Sequence, residues 1–525
     1  MSLRENIAMV ESGRIVGAFG RDRAVRVFRG VPYAAAPVGA LRWRPPRPPA
    51  RWDGLRPAKD FAPCCVQPPR PRGSISDFGV ERDDEDCLYL NIWTAADEPE
   101  EKRPVMLWIH GGGFSYGSGA LPLFDGEGLA RRGIVLVTIN YRLGPLGYLA
   151  HPELTGESAH GSSGNYGFLD QVEALRWVRD NIAAFGGDPG RVTIFGQSVG
   201  SSSVSCLLAS PLAKGLFHRA ICQSGGSVGP LGNPGGGSMQ TLAVAEKRGV
   251  EFIAALGARS IDEMRHKSAR EIQLPPPEAM SDPWKMTPAN QRLRNSGWVI
   301  VDGHAIPASP FDIFDAGRQN DVPLLTGANS REGSTAPAPS TLPDFESFAR
   351  SVYGDDMEEL FDLYRVREAP QVSEAARLIN GHRTFNWQNW TTLRMHARTA
   401  KSPAFGYYFN RPPPFPPGAV YVDNKTENLG AFHTAEIPYA FDHLAARDWP
   451  WTQTDRDLAS VMSSCWVNFA RAGDPNGAGA PKWPRFGGAS TDVMLLGDFV
   501  GAGPMPDQDR LAFWDRFFGK QRHSA

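Results

Sequence analysis

A run of β-branched and aromatic residues, Val192-Thr193-Ile194-Phe195, leads directly into Gly196-Gln197-Ser198-Val199-Gly200, and the residues from Ser201 to Leu208 can continue as a helix. A serine between a strand and a helix lies on a sharp turn, and flanking glycines let neighbouring backbone approach that turn closely. Such a turn lifts the serine hydroxyl towards a base. Ser198 is therefore the candidate nucleophile, and the alternative is that it only marks a tight strand-to-helix turn.

The same five-residue pattern recurs at Gly225-Gly226-Ser227-Val228-Gly229, which is a useful control in a chain with 56 glycines. Pro230 and the glycine-rich stretch 232–237 follow it, so no helix can start behind Ser227. We therefore predict that Ser227 lies in a loop.

Short apolar runs bounded by Gly, Arg or Pro predict strands that are buried on both faces. Apolar residues recur at near-helical spacing in 170–182, which predicts a helix before the strand at 192–195. Strand, helix, strand and serine turn in this order predict a parallel α/β sheet. The other predicted strands are 105–109, 134–139, 219–223, 322–326 and 404–409.

The whole chain, 1–525, is predicted to form a single domain. It has no internal repeat and no linker long or polar enough to separate two folding units. Two segments, roughly 235–300 and 335–400, carry helical patterns without clear strands. We expect these segments to be helical insertions over the strand ends, where they shape a pocket.

The composition limits the range of partners. The chain has 55 Lys and Arg against 57 Asp and Glu, for a formal net charge of -2. No basic field attracts nucleic acid or anionic lipid, so we expect a small-molecule partner and no nucleic acid. The first eleven residues lack the apolar run of a secretory signal, and no segment is long enough to span a bilayer. We expect a cytoplasmic protein, or a secreted one if a signal peptide was removed; the oligomeric state is not predicted.

Six cysteines are too few for a disulfide scaffold in a chain of 525 residues. Cys64-Cys65 followed by Cys87 lacks the second pair that a zinc site needs, so no metal site is predicted. A bridge from Cys65 or Cys64 to Cys87 is compatible with the sequence, and its formation depends on the redox compartment.

A serine nucleophile also needs donors for the developing oxyanion. His110-Gly111-Gly112-Gly113-Phe114 follows the strand ending at Ile109, and its glycines let successive backbone N–H groups point at one oxygen. With the N–H of Val199, those of Gly112 and Gly113 are predicted to form a three-donor oxyanion hole. The alternatives for this run are a tight turn or a phosphate cradle, but no Gly-Lys-Ser/Thr or Gly-x-Gly-x-x-Gly pattern accompanies it.

The base and the acid that orients it are less clearly marked. Glu332 follows the strand at 322–326, where the carboxyl end of a sheet would offer it to the site, although an ordinary surface glutamate fits this position equally well. Of eleven histidines, His433 comes last among those in loops and gives the order serine, acid, histidine that accompanies this type of turn. His304 would break that order, and His443 falls in a predicted helix. Three further histidines also precede the acid: His151, His160 and His218.

Two early motifs are highly specific. They are Phe28-Arg29-Gly30-Val31-Pro32-Tyr33-Ala34 and Glu85-Asp86-Cys87-Leu88-Tyr89-Leu90-Asn91-Ile92. Together with the stretches 140–144, 165–171, 185–189 and 217–225, they resemble the type B carboxylesterase family, which includes cholinesterases and para-nitrobenzyl esterases.

The resemblance covers most of the chain and implies an α/β-hydrolase fold, with a mostly parallel central sheet flanked by helices. It also implies hydrolysis of carboxylic esters without a cofactor. The resemblance implies a catalytic triad of Ser198, Glu332 and His433. In the same way, the oxyanion hole is formed by Gly112, Gly113 and Val199.

Two departures from the family pattern bear on the substrate. The family usually has Glu before the serine and a small residue after it, whereas this chain has Gln197 and Val199. Val199 supplies its backbone N–H whatever its side chain, but Gln197 removes a negative charge beside the nucleophile. The loop between Cys65 and Cys87 contains no Trp, and its only aromatic residue is Phe78. Cation–π capture of a quaternary ammonium is therefore not expected, and we predict neutral esters over choline esters.

The leading hypothesis is a serine carboxylic-ester hydrolase that acts through an acyl-enzyme intermediate. The same triad could instead act on amides or carbamates, which the sequence does not decide. A non-catalytic binding protein on the same fold is the alternative from another class, and the presence of all three triad residues argues against it.

Overall fold

The computed structural model describes residues 6–21, 23–69, 73–75, 79, 82–232, 239–273, 298–334, 338–339, 341–421 and 429–523. The strands are β1 Ile7–Val10, β2 Gly13–Val16, β3 Ala18–Phe19, β4 Arg26–Pro32, β5 Leu55–Pro57, β6 Cys64–Cys65, β7 Asp83–Asp84, β8 Tyr89–Thr94, β9 Arg103–Ile109, β10 Val135–Ile139, β11 Gly187–Gln197, β12 Arg219–Gln223, β13 Leu324–Asn329, β14 Ala404–Phe409, β15 Val493–Leu496 and β16 Val500–Gly503.

The α-helices are α1 Glu127–Arg131, α2 Gly144–Tyr148, α3 Pro152–Gly156, α4 Tyr166–Asn181, α5 Val199–Ala209, α6 Leu242–Ala255, α7 Ile261–Arg265, α8 Ala269–Gln273, α9 Pro310–Asp315, α10 Leu342–Tyr353, α11 Met357–Leu363, α12 Ala369–Gly381, α13 Trp387–Thr399, α14 Ile437–Ala440, α15 Gln453–Ala472 and α16 Gln508–His523. One turn of π-helix, His382–Asn386, joins α12 to α13.

The main sheet has eleven of these strands in the order β16-β15-β14-β13-β12-β11-β9-β10-β8-β4-β3. The seven strands from β10 to β15 in this order pair in parallel. The outer strands β8, β4, β3 and β16 pair antiparallel. The fold is the α/β-hydrolase fold, with a mostly parallel sheet at its centre.

Side chains of the central strand β9 pack alternately on the two faces of the sheet. Val105, Leu107 and Ile109 belong to one buried cluster, which includes residues of α4 and α5. Met106 and Trp108 belong to a second cluster, which includes residues of α15. Because helices cover both faces, this strand can be apolar at every one of these positions.

The strands and the helix predicted from apolar patterns are present, with ends that differ by a few residues. The prediction missed β15 and the antiparallel strands β3, β4, β8 and β16 of the main sheet. All of these except β8 are short or contain Arg, Gly and Pro. The prediction that His443 lies in a helix is wrong, because His443 precedes a short 3-10 helix, Leu444–Ala446. Ser227 lies outside helices and strands, as expected.

Helices occupy the described parts of the two segments that were expected to be insertions. They are α6 to α8 in the first segment and α10 to α13 in the second. Residues 274–297 and 335–337 lie outside the described residues, and so does Phe78. Among the helices that the structure describes, none combines the length and the apolar character that crossing a bilayer requires.

Cys65 and Cys87 are buried free thiols, like the other four cysteines. The pKa of Cys87 is raised well above its usual value, first by a hydrogen bond with Cys65 and then by burial. The Cys65 sulfur also accepts from the backbone N–H of Leu143 at 3.3 Å. The two sulfurs are therefore neighbours that are not bridged in this structure, and the bridge stays a prediction.

Candidate active site

The carboxyl ends of three parallel strands bring the candidate residues to one edge of the sheet. Strand β11 lies between β9 and β12, and β13 pairs with the far side of β12. The glycine run follows β9, Ser198 follows β11, and Glu332 follows β13 by three residues. Since these strands run in parallel, all three segments emerge at the same edge.

Ser198 occupies a strained turn at the N-terminus of α5. Its backbone has φ 60° and ψ -128°, which is uncommon for a residue with a side chain and costs roughly 1–3 kcal/mol. Its N–H donates to the Gln223 carbonyl at 2.9 Å. A Cβ at Gly200 would lie 2.0 Å from the Ile109 oxygen, so only glycine lets α5 approach β9 this closely. The close packing of α5 on β9 that Gly200 allows therefore holds this turn.

The glycine run after β9 packs against the Ser198 turn. A Cβ at Gly111 would lie 3.0 Å from the Cβ of Ser198. Gly112 and Gly113 have φ of 114° and 64°, which glycine adopts without strain. Within the part of the chain that the structure describes, the N–H groups of Gly112, Gly113 and Val199 have no hydrogen-bond acceptor. They are therefore free to donate to a bound oxyanion.

Glu332 and His433 form a close pair although they are 101 positions apart. Glu332 Oε2 lies 2.5 Å from His433 Nδ1, with side-chain exposures of 0% and 17%. Glu332 Oε1 accepts from the backbone N–H of Asn329 at 2.6 Å. An ionised carboxylate only accepts, so Nδ1–H donates and Nε2 keeps its lone pair. In that tautomer the imidazole can take a proton.

The loop that carries His433 is tied to the strand ends. The backbone N–H of Arg331 donates to the Ala431 carbonyl at 3.0 Å. The Gln197 side-chain amide donates to the His433 carbonyl. Because Gln197 immediately precedes Ser198, this bond places the His433 backbone beside the serine turn. The Phe385 ring packs on the imidazole with centroids 4.0 Å apart.

Two other titratable side chains near the site are buried. Burial lowers the pKa of His110 to about 4, so its imidazole is neutral at pH 7. It stacks on Tyr141, whose hydroxyl donates to the His110 carbonyl at 2.7 Å. Burial, followed by the nearby Glu332, raises the pKa of Glu436 to about 8. No group of three or more His, Cys, Asp or Glu side chains in the described ranges is arranged to hold a metal ion.

Comparisons with known proteins agree with this architecture. The sequence model of the family described as "Carboxylesterase family" matches residues 4–514 of this chain. The chain belongs to the carboxylesterase family. It is a serine carboxylic-ester hydrolase, as the sequence predicted.

Three relatives of this carboxylesterase illustrate the range of the family. The fumonisin B1 esterase of Sphingopyxis macrogoltabida is 37% identical over 507 residues, which cover 94% of this chain and 86% of that protein. The para-nitrobenzyl esterase of Bacillus subtilis (strain 168) is 31% identical, with coverage of 97% and 98%. The liver carboxylesterase of Sus scrofa is 33% identical, with coverage of 97% and 92%. A solved PNB esterase superimposes with a TM-score of 0.78 at 30% identity, covering 97% of this chain and all of that one.

Sequence reasoning missed three contributors to the site of this carboxylesterase: the ring of Phe385, the side-chain amide of Asn329 and the carboxyl of Glu436. None of them belongs to a motif with a fixed spacing. A π-helical turn such as the one that carries Phe385 is often found at functional sites, but it has no sequence signature here.

Proposed function

We propose that Ser198 is the nucleophile of this carboxylesterase, that His433 is its general base and that Glu332 orients the base. The N–H groups of Gly112, Gly113 and Val199 are proposed as the oxyanion hole. The observation that carries the proposal is the 2.5 Å contact between Glu332 and His433. The loop that carries His433 is hydrogen-bonded to Gln197, the residue before the strained Ser198.

The reaction would follow from this geometry. Nε2 of His433 takes the proton of Ser198 Oγ as the oxygen attacks the ester carbonyl. The tetrahedral oxyanion accepts from the free backbone N–H groups, each worth about 10²- to 10³-fold in rate. The intermediate collapses as the imidazolium gives its proton to the leaving alcohol, and an acyl-enzyme remains. Water, deprotonated by the same imidazole, then releases the acid and restores Ser198.

We propose neutral small-molecule esters as the substrates. Gln197 places an uncharged amide beside the nucleophile. Net charge is close to balanced, which gives no reason to expect nucleic acid as a partner. A cytoplasmic location stays a prediction. The relatives' names, which include a fumonisin B1 esterase and a para-nitrobenzyl esterase, do not agree on one substrate.

The triad is tested by Ser198→Ala and His433→Ala, assayed with p-nitrophenyl esters of increasing acyl length, a choline ester, an amide and a carbamate. We expect each variant to lose about 10⁶-fold in kcat while it stays folded. A fluorophosphonate should label the wild-type protein once, at Ser198. Full esterase activity in folded Ser198→Ala would rule out the mechanism, and a higher kcat/KM for the choline ester would overturn the substrate proposal.

A further inference from the structure

Two successive backbone carbonyls of the His433 loop are each held by a buried side-chain amide. Asn329 Nδ2 donates to the carbonyl of Phe432 at 2.7 Å. Gln197 Nε2 donates to the carbonyl of His433 itself. The two amides come from different strands, because Asn329 ends β13 and Gln197 ends β11. The loop that carries the imidazole is thus fixed at two adjacent points from two directions.

The Asn329 amide is itself held rigidly. It is fully buried, and its Nδ2 also donates to Glu436 Oε2 at 2.7 Å. Gln223 Nε2 donates to the other oxygen of Glu436 at 3.2 Å. The backbone of Asn329 binds Glu332 through its N–H and accepts from Asn386 at its carbonyl. One residue therefore contacts both the acid and the loop of the base.

The Gln197 amide connects the base to the nucleophile. Gln197 is 2% exposed and is adjacent to Ser198 in the chain. An ionised glutamate at this position could not donate to a carbonyl, and its charge would lie beside the His433 backbone. An amide makes the bond at every pH and adds no charge. Gln197 therefore differs from a glutamate in two ways: it carries no negative charge, and it donates a hydrogen bond to the His433 carbonyl.

We propose that Gln197 and Asn329 are positioning residues, which hold the His433 loop so that its imidazole meets both Ser198 and Glu332. The inference rests on the proposed roles of Ser198 and His433. In this proposal, two side-chain amides place the imidazole of His433 correctly although they contact only the backbone of its loop. A displacement of about 1 Å in a catalytic group can cost about 10²-fold in rate, so the loss of one amide should be visible in kcat.

The decisive variants change only the head group of residue 197. Gln197→Met keeps the length of the side chain but removes the donor, and we expect a 10- to 100-fold lower kcat/KM, with about the same factor in the rate of fluorophosphonate labelling. Gln197→Glu should show a similar loss at high pH. It should also move the acid limb of the kcat/KM profile to higher pH, because a nearby carboxylate raises the pKa of an imidazole. Gln197→Met should leave the position of that limb unchanged.

The matched control is Asn320→Leu. Asn320 Nδ2 also donates to backbone carbonyls, those of Leu207 and Ser210, but it precedes β13 and so lies at the opposite end of that strand from Glu332. We expect a lower Tm and an unchanged kcat/KM. A merely structural role for Gln197 would give the same result as this control.

The outcomes separate the inference from the proposed function. If the wild-type protein is neither labelled at Ser198 nor dependent on His433, the proposed function fails. If the wild-type protein is labelled at Ser198 and depends on His433, and folded Gln197→Met keeps the wild-type kcat/KM, the inference about Gln197 is wrong. Asn329→Ala should lose at least as much kcat/KM as Gln197→Met. A folded Asn329→Ala with wild-type kcat/KM would remove Asn329 from the proposal, and Gln197→Met decides the remainder if Asn329→Ala does not fold.

Discussion

At the scale of single residues, the proposed chemistry depends on backbone N–H groups and an imidazole nitrogen that remain available to the substrate. The N–H groups of Gly112 and Gly113 have no internal acceptor within the ranges that the structure describes. His433 uses Nδ1 towards Glu332, which leaves Nε2 for proton transfer. His110, by contrast, is fully buried and has a pKa of about 4, so it serves as packing beside the glycine run. The difference between a base and a packing histidine lies in the partner and the exposure of each ring.

The conformation of Gly112 should be essential to the oxyanion hole. A Cβ at this position would lie 2.2 Å from the Tyr116 backbone oxygen, and φ is 114°. We expect Gly112→Ala to rotate the peptide and lower kcat by about 10²- to 10³-fold, as measured with a p-nitrophenyl ester. Gly161→Ala is the control, since Gly161 has φ 60° and open space around it. If the kcat of Gly112→Ala stays within about three-fold of wild type, well short of the expected loss, the Gly112 N–H is not a donor of the oxyanion hole.

At the scale of elements, the position of the proposed nucleophile, Ser198, depends on how closely α5 packs on the sheet. The strand β11 pairs in parallel with β9 and β12, and the helix begins immediately after Ser198. The Ser198 turn is strained, so the packing of the helix against β9 must hold it. We therefore expect the first turn of α5 to contribute to both stability and activity.

Gly200→Ala tests this packing, because its Cβ would meet the backbone oxygen of Ile109 at 2.0 Å. Backbone cannot yield as a flexible side chain can, so we expect α5 to shift, the free energy of unfolding to fall by about 1–3 kcal/mol and activity to fall with it. Urea unfolding and an esterase assay give the two values. Gly156→Ala in α3 is the control, since its Cβ would meet nothing within 4 Å. Equal stability of the two variants would contradict the packing argument.

At the scale of the whole molecule, stability depends on pH through buried histidines in separate parts of the fold. Burial lowers the pKa of each of three histidines to about 4: His110, His382 and His396. The unfolded chain protonates these rings near the ordinary value of 6.5, whereas the folded chain keeps them neutral down to about pH 4. Their contribution to stability is therefore complete above pH 6.5 and is lost as pH falls towards 4.

We expect the free energy of unfolding to fall steeply between pH 6.5 and 4, with up to about 3 kcal/mol from each buried histidine. His396→Leu should reduce this slope, because it removes one of the three groups, as measured by urea unfolding at a series of pH values. His266→Leu is the control, since that side chain is exposed. If His396→Leu and the wild type lose stability in parallel over this range, the explanation is wrong for His396.

Much of the fold could be predicted from local patterns. Apolar runs such as 105–109 and 192–195 mark buried parallel strands because both faces of the sheet are covered. Most of the outer strands escaped detection because they are short or interrupted by Arg, Gly and Pro. Ser198 was recognisable because a strand, two glycines and a helix surround it. For Glu332 the position alone left a surface residue equally acceptable, and only the resemblance to a family decided in its favour.

The sequence by itself determined the elements whose cause is local: the strands of the central sheet, the helix behind Ser198 and the glycine run that exposes its N–H groups. Only the tertiary structure decided which side chains meet. Glu332 and His433 are 101 positions apart, and Gln197 and His433 are 236 apart. No periodicity relates such pairs, because the sheet order brings them together. The amides of Gln197 and Asn329 and the carboxyl of Glu436 acquire their partners in the same way, from the convergence of strand ends that are distant in the chain.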